Sequence, residues 1–335
     1  MRKLASIQTI KALEPIEGAD MIEKATVLGW QLVVKKGEFQ VGDSCVYCEI
    51  DSVLPDKPEF EFLRPRQFRI KTAKMKGQIS QGIAFPLSII ENYADMALPE
   101  GLEVTDLMGV TKYELPLSAN MSGEVKGSFP GFMPKTDETR IQSVPDVLTR
   151  PENQGKICYI TEKVDGTSAT YYLNDGEFGV CSRNLELKET EKNIHWQLAR
   201  QLDLETKLRS MGRNLAIQGE IIGPGVQSNK YKLPKHQLRI FNIVEIESYS
   251  YLNYAEFVAL TQEMELETVP ILRTDYILGT DEVQSLVALS EAKSVVNPQL
   301  DREGIVIRPL IEAQDNELGR LSFKVINPKF LLKFE

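Results

Sequence analysis

The chain has 335 residues, 42% hydrophobic and 26% charged, a balance ordinary for a soluble globular protein and a length that accommodates about two domains. A net charge of −9 argues against indiscriminate coating of nucleic acid, and no apolar run approaches the ~20 residues that span a bilayer. The start, Met1 to Gln8, lacks the long apolar core of a secretory signal. The four cysteines, Cys45, Cys48, Cys158 and Cys181, read as reduced packing residues of a cytoplasmic protein. One Cys-X-X-Cys without a second pair is weak ground for zinc, and on a strand its two thiols face opposite sides.

Residues 1–110 read as a small β domain. Apolar runs at Trp30–Val34 and Ser44–Ile50 are separated by turns at Gly37, Gly42, Asp43 and Pro55, and Gly77 and Gly82 flank a turn before Ile83–Leu87. The pattern fits a barrel of the oligonucleotide-binding (OB) kind, and an SH3-like barrel gives a similar one. Between Arg64 and Lys76 stand six basic residues and no acidic one, and a second basic run extends from Lys230 to Arg239. Together they favour a surface that tracks phosphates over two solvated loops.

Residues 111–150 read as a linker, because Ser118, Ser122, Gly123, Gly127, Pro130, Gly131 and Pro134 break any periodicity. Residues 151–335 then mix strands and helices. Strands are expected at Ile157–Glu162, Ser168–Leu173, Phe178–Ser182, Leu215–Ile222, Leu238–Ile246, Gly304–Arg308 and Leu321–Ile326. Helical spacing appears over 187–209, where Ile194, Leu198 and Leu202 form one stripe, and over 254–266 and 281–296. The expected class is α+β with mostly antiparallel sheets.

The segment Glu162-Lys163-Val164-Asp165-Gly166-Thr167 carries the chemistry. A lysine amine is protonated near its reference pKa of roughly 10.4 and attacks a phosphorus only once its surroundings deprotonate it. Asp165 returns to the same face of an extended strand, and Gly166 clears space for a ligand. Alone, the segment reads better as a surface turn. Later strands change that by delivering Glu220, Glu303 and Lys324 among apolar neighbours, where an ionised group is costly unless paired, ligating or catalytic. Asp165, Glu220 and Glu303 together suit a hydrated Mg²⁺, Lys324 and Arg183 suit a triphosphate, and Phe241 suits a purine face. Cations beside Lys163 are expected to lower its pKa.

In this order the segments resemble the covalent nucleotidyltransferases, which comprise ATP-dependent DNA and RNA ligases and capping enzymes. Lys163-Val164-Asp165-Gly166 is similar to motif I, Ser182-Arg183-Asn184 to motif Ia, and Gly219-Glu220 with Ile221-Ile222-Gly223 to motif III. Arg239 to Ile243 is similar to motif IIIa, Glu303 to Val306 to motif IV, and Phe323-Lys324-Val325 to motif V. With the barrel placed before the catalytic domain, the chain looks most like the Deinococcus-type RNA ligases (RNA ligase family five). The resemblance implies an ATP-grasp-like nucleotidyltransferase domain over 151–335, ATP as substrate, and Mg²⁺ or Mn²⁺ on Asp165, Glu220 and Glu303. It implies that Lys163 forms a lysyl-adenylate, that AMP then passes to an RNA 5′-phosphate, and that a 3′-hydroxyl displaces it.

The resemblance also implies that Glu162 helps recognise adenine, that Arg183 contacts ribose or the incoming phosphate, and that Glu220 serves ribose or the metal shell. The family's motif V often has lysines two apart. Here Ile326 stands at that position, and Lys329 is the candidate second cation; Arg140 is a further candidate phosphate contact. The expected partner is a nicked RNA duplex or RNA/DNA hybrid, engaged by a monomer with no membrane role. A capping guanylyltransferase, a DNA ligase and a non-catalytic RNA-binding protein of the same fold are the alternatives.

Overall fold

One long strand, Ala5–Pro15, organises the first unit of the computed structural model, which describes residues 3–114 and 124–335. Its register slips between Ile10 and Ala12, and such a bulge bends a strand. Its first half pairs with Ser44–Cys48 and its second with Ile22–Val27. Trp30–Lys35 and Ile83–Pro86 complete a five-stranded sheet in which every pairing is antiparallel. Side chains alternate across the pleat, so Trp30, Leu32 and Val34 enter the core while Gln31 and Val33 stay partly exposed. Ile7, Ile10, Val27 and Val46 fill the same core.

This unit is discontinuous in sequence, comprising Met1–Pro116, Arg140–Asp146 and Pro328–Glu335. The C-terminal helix Pro328–Phe334 packs Leu331 on its core, and Thr72 N donates to Glu335 Oε2 at 3.0 Å. Arg140 Nη2 donates to Asp51 Oδ2 at 3.0 Å. The basic run is partly neutralised: Arg64 pairs with Asp56 and Glu61, and Arg69 with Asp51. Arg66, Lys74 and Lys76 remain exposed.

The second unit, Leu117–Thr139 with Val147–Asn327, holds two sheets. One has seven strands in the order Val125–Ser128, Leu185–Leu187, Glu177–Cys181, Thr167–Asn174, Leu215–Ile222, Gln237–Glu245 and Ser250–Tyr251. The other places Gly304–Pro309 between Phe323–Ile326 and Ile157–Lys163, with Ile271–Ile277 beyond. All these pairings are antiparallel. Seven of the eight residues of Leu215–Ile222 are buried because both faces of the strand are covered. Ile194–Gln201, Leu204–Ser210 and Tyr254–Glu263 pack on the larger sheet, and Val283–Ser290 packs on the smaller.

Two expected helices are shorter than their apolar spacing indicates. Over 187–209 the helix begins only at Ile194, where Asn193 caps it by accepting from His195 N and Trp196 N, and it breaks at Asp203 with φ 51°. Over 281–296 it ends at Ser290. The stretch read as a linker is folded in its second half: Val125–Ser128 forms the edge of the seven-stranded sheet, and Phe129 and Met133 are buried against Tyr172, Ala216 and Val244. Ser118, Ser122 and Gly123 lie outside the described residues. All four cysteines are free and buried, and burial pushes Cys45, Cys48 and Cys158 up to about 12. No helix among the described residues is long and apolar enough to cross a membrane.

Candidate active site

A cleft of about 260 Å³ opens within the second unit, lined by both of its sheets and by Thr136, Asp137 and Glu138. Lys163 ends the strand Ile157–Lys163 and sits opposite Gly304 in the antiparallel register, which brings Glu303 alongside. Lys163 Nζ donates to Glu303 Oε1 at 2.7 Å and to Oε2 at 2.8 Å. Two glycines allow the backbones to approach this closely. A Cβ on Gly304 would lie 2.3 Å from Val325 O, and one on Gly166 would lie 2.2 Å from Ile221 O. The amide of Gly166 instead donates to Glu220 Oε1 at 3.1 Å.

Asp165 is held by the loop that follows Leu215–Ile222. Lys230 forms an ion pair with its carboxylate, and its own amide donates to the Tyr231 hydroxyl at 2.8 Å. The electrostatics follow from this crowding. Burial pushes Asp165 and Glu220 above the usual carboxylate range, and Glu303 raises both further; Glu220 reaches about 8. Burial alone favours the neutral amine of Lys163, but Glu303 and Glu220 outweigh it and hold Lys163 above its ordinary value. The expectation of a lowered lysine pKa is therefore reversed, because the nearest groups are carboxylates rather than cations. Among the described residues, no three His, Cys, Asp or Glu side chains form a metal-holding group. The donor chemistry nonetheless fits a hard cation, since mutually repelling carboxylate oxygens are what Mg²⁺ and Mn²⁺ bind.

Glu162, Lys163, Arg183, Glu220, Phe241 and Lys324 all line the cleft. Asp165 and Glu303 are not among the lining residues: Glu303 is tied to the cleft through Lys163, and Asp165 lies between the lining residues Val164 and Gly166 in the chain. Glu162 accepts from Val295 N at 2.7 Å and is otherwise buried. Arg183 pairs with Asp137, and Lys324 stands opposite Val306 in its sheet. Ile326 is buried, whereas Lys329 lies in the helix Pro328–Phe334 of the first unit, to which Arg140 also belongs.

The residues that sequence reasoning passed over come mainly from the expected linker. Gln218 Nε2 donates to Pro134 O at 2.7 Å, the Thr136 and Ser168 hydroxyls lie 2.8 Å apart, and Glu138 pairs with buried Arg308 at 2.9 Å. A Pro- and Gly-rich stretch has no period to betray such contacts. Arg308 had a local signal, being a charge on a strand that is otherwise wholly apolar.

Comparison with known proteins matches residues 4–87 to an OB-fold domain and residues 156–326 to the RNA ligase family. This chain belongs to the RNA ligase family. Its first unit carries the OB-fold domain, and its second the nucleotidyltransferase domain of an RNA ligase. The RNA ligase is similar to Naegleria gruberi RNA ligase with PPi, at 37% identity over 99% of both chains with a TM-score of 0.89. It has the same identity, coverage and score against a lysine-to-alanine mutant of that enzyme with ATP and Mn, and against a lysine-to-methionine mutant with AMP and Mn. No curated protein matched this RNA ligase.

Proposed function

We propose that this protein is an ATP-dependent ligase that joins RNA 3′-hydroxyl and 5′-phosphate ends, acting at nicks in duplex RNA or RNA/DNA hybrid through a lysyl-AMP on Lys163. The observation that carries the reading is the Lys163 amine, hydrogen-bonded to both oxygens of Glu303 in a cleft that also presents Arg183 and Lys324. The Naegleria RNA ligase, solved with ATP and Mn and similar along its whole length, supports the choice of nucleotide and metal.

In the first step the Lys163 amine loses a proton and its lone pair forms an N–P bond to the α-phosphorus, as the bond to pyrophosphate breaks. Arg183 and Lys324 stabilise the charge that develops on the phosphates. Phe241 and Val306 offer apolar faces to the base, and Glu162 lines the same cleft. A Mg²⁺ or Mn²⁺ ion on Asp165, Glu220 and Glu303 would offset the carboxylate charge that keeps the amine protonated. In the second step a 5′-phosphate oxygen attacks the adenylate phosphorus, the N–P bond breaks and the amine regains a proton. In the third a 3′-hydroxyl attacks the 5′-phosphorus, and AMP leaves with the bonding electrons.

We place the protein with the Deinococcus-type RNA ligases, since its OB-fold domain precedes the catalytic one. We also expect a monomer in the cytoplasm, where four buried thiols remain reduced.

Incubation with α-labelled ATP or GTP and Mg²⁺ or Mn²⁺ tests this reading. Label from ATP alone should stay on the denatured protein and vanish in Lys163→Ala. Label from GTP would point to capping, and no label would overturn the enzyme reading. Equal sealing of all-DNA and RNA-containing nicks would overturn the preference for RNA.

A further inference from the structure

Arg308 is the most deeply buried cation of the cleft, with only 2% of its surface exposed. Two of its three nitrogens are accounted for. Nε donates to the Ser322 hydroxyl at 3.1 Å, and Nη2 donates to Glu138 Oε1 at 2.9 Å. Nη1 is buried and has no hydrogen-bond partner among the described residues. An unsatisfied donor on a buried guanidinium is expensive, and at the wall of a cleft a ligand or an ordered water can complete it.

The surroundings say which part of a ligand that is. The guanidinium carbon lies 6.0 Å from the ring centroid of Phe241, and Val306 precedes Arg308 by two residues on the same face of its strand. Both neighbours also line the cleft and are apolar, so this end suits a flat base rather than a phosphate. Glu138 already neutralises the guanidinium. It has little charge left to attract an anion, but it keeps two N–H groups on Nη1 to donate. Burial pulls Arg308 down, Glu138 and Tyr159 hold it up, and the net effect leaves it cationic throughout the working range.

We propose that Arg308 is a specificity-determining residue that donates a hydrogen bond from Nη1 to a ring nitrogen of the adenine, with Glu138 as the residue that positions it. The inference rests on the reading of the cleft as an ATP site. Adenine offers N1, N3 and N7 as bare acceptors, and a fixed donor facing one of them selects for a base with a lone pair there. At N1 the same donor would also reject guanine, whose N1 carries a hydrogen.

The test is self-adenylylation by the full-length protein with ATP and with 1-deaza-, 3-deaza- and 7-deaza-ATP, each of which lacks one ring acceptor. One analogue should raise KM about 10- to 100-fold, the cost of losing a hydrogen bond to a charged donor, with little change in kcat. Arg308→Met should raise KM for ATP by a similar factor, and that analogue should cost the variant nothing further. Glu138→Gln should give a smaller rise in KM, and Arg308→Lys should restore part of the binding lost in Arg308→Met. If all three analogues match ATP in the wild-type protein, the inference is overturned without recourse to a variant. If 2′-deoxy-ATP alone loses affinity, Nη1 serves the ribose and the inference is again overturned. Absence of label from ATP itself in the wild type would sink the ATP reading instead, so the two failures are distinguishable. Melting curves on each variant separate lost binding from lost folding.

Discussion

Both units contain ion pairs at the surface and below it, and those below the surface serve different ends in the two. In the first unit Arg64 bridges Asp56 and Glu61 at the surface, with about half of its side chain exposed. In the second, Lys163 with Glu303, Lys230 with Asp165, and Arg308 with Glu138 gather at or beneath one cleft, each with at least one partly buried member. Water screens a surface pair and leaves it worth little, whereas a partly buried pair commits both partners. Removing one member then strands the other. The first unit's partly buried pairs, Arg69 and Arg140 with Asp51, hold its own fold together, whereas those of the second unit lie where a ligand would bind.

This contrast can be broken or sharpened by experiment, beginning with the largest effect. Lys163→Ala should reduce covalent labelling from ATP to background, by more than about 1,000-fold, at a temperature where circular dichroism shows the variant, with its Glu303 left unpaired, still folded. Residual label above background would mean that another nucleophile serves the cleft. Next, Gly166→Ala should destabilise the second unit by about 2 to 3 kcal/mol, since its Cβ would meet Ile221 O at 2.2 Å. Gly127→Ala, with nothing within 4 Å, is the control, and equal urea midpoints for the two variants would contradict the close approach.

A third effect depends on pH. Burial lowers His195 from 6.5 to about 4. Below pH 6.5 the unfolded chain takes up a proton that the folded one refuses until about pH 4, so stability falls as pH drops through that window. The loss should reach about 3 kcal/mol. Denaturation of wild type and His195→Gln at pH 7, 5.5 and 4 would show it, and identical slopes would refute it. The smallest effect is expected at the surface of the first unit, where Arg64→Ala should leave the melting temperature unchanged although three of its nitrogens contact carboxylates.

Much of the second unit was legible because its strands are short, apolar and punctuated by single charges. Ile157–Lys163, Leu215–Ile222 and Gly304–Pro309 lie where the apolar runs put them, and each presents a cleft residue. The first strand of the OB-fold domain was harder to read. Ala5–Pro15 changes pairing partner at a bulge, so its alternation is broken midway and its eleven residues carry no single period. Helix ends were misjudged where a cap or a positive φ, rather than hydrophobic spacing, decides them, as at Asn193 and Asp203.

The sequence by itself determined the order of chemistry along the chain: an amine at Lys163, carboxylates at Glu220 and Glu303, a cation at Lys324. Those assignments follow from residue type on apolar strands, which is local information. Only the tertiary structure decided what those groups touch. The antiparallel register places Glu303 against Lys163 and so raises a pKa that residue types alone led one to expect lowered. It likewise draws Thr136, Asp137 and Glu138 out of an aperiodic stretch to line the cleft. Coulomb energies and hydrogen bonds depend on distances between residues far apart in the chain, and those distances exist only once the sheets have formed.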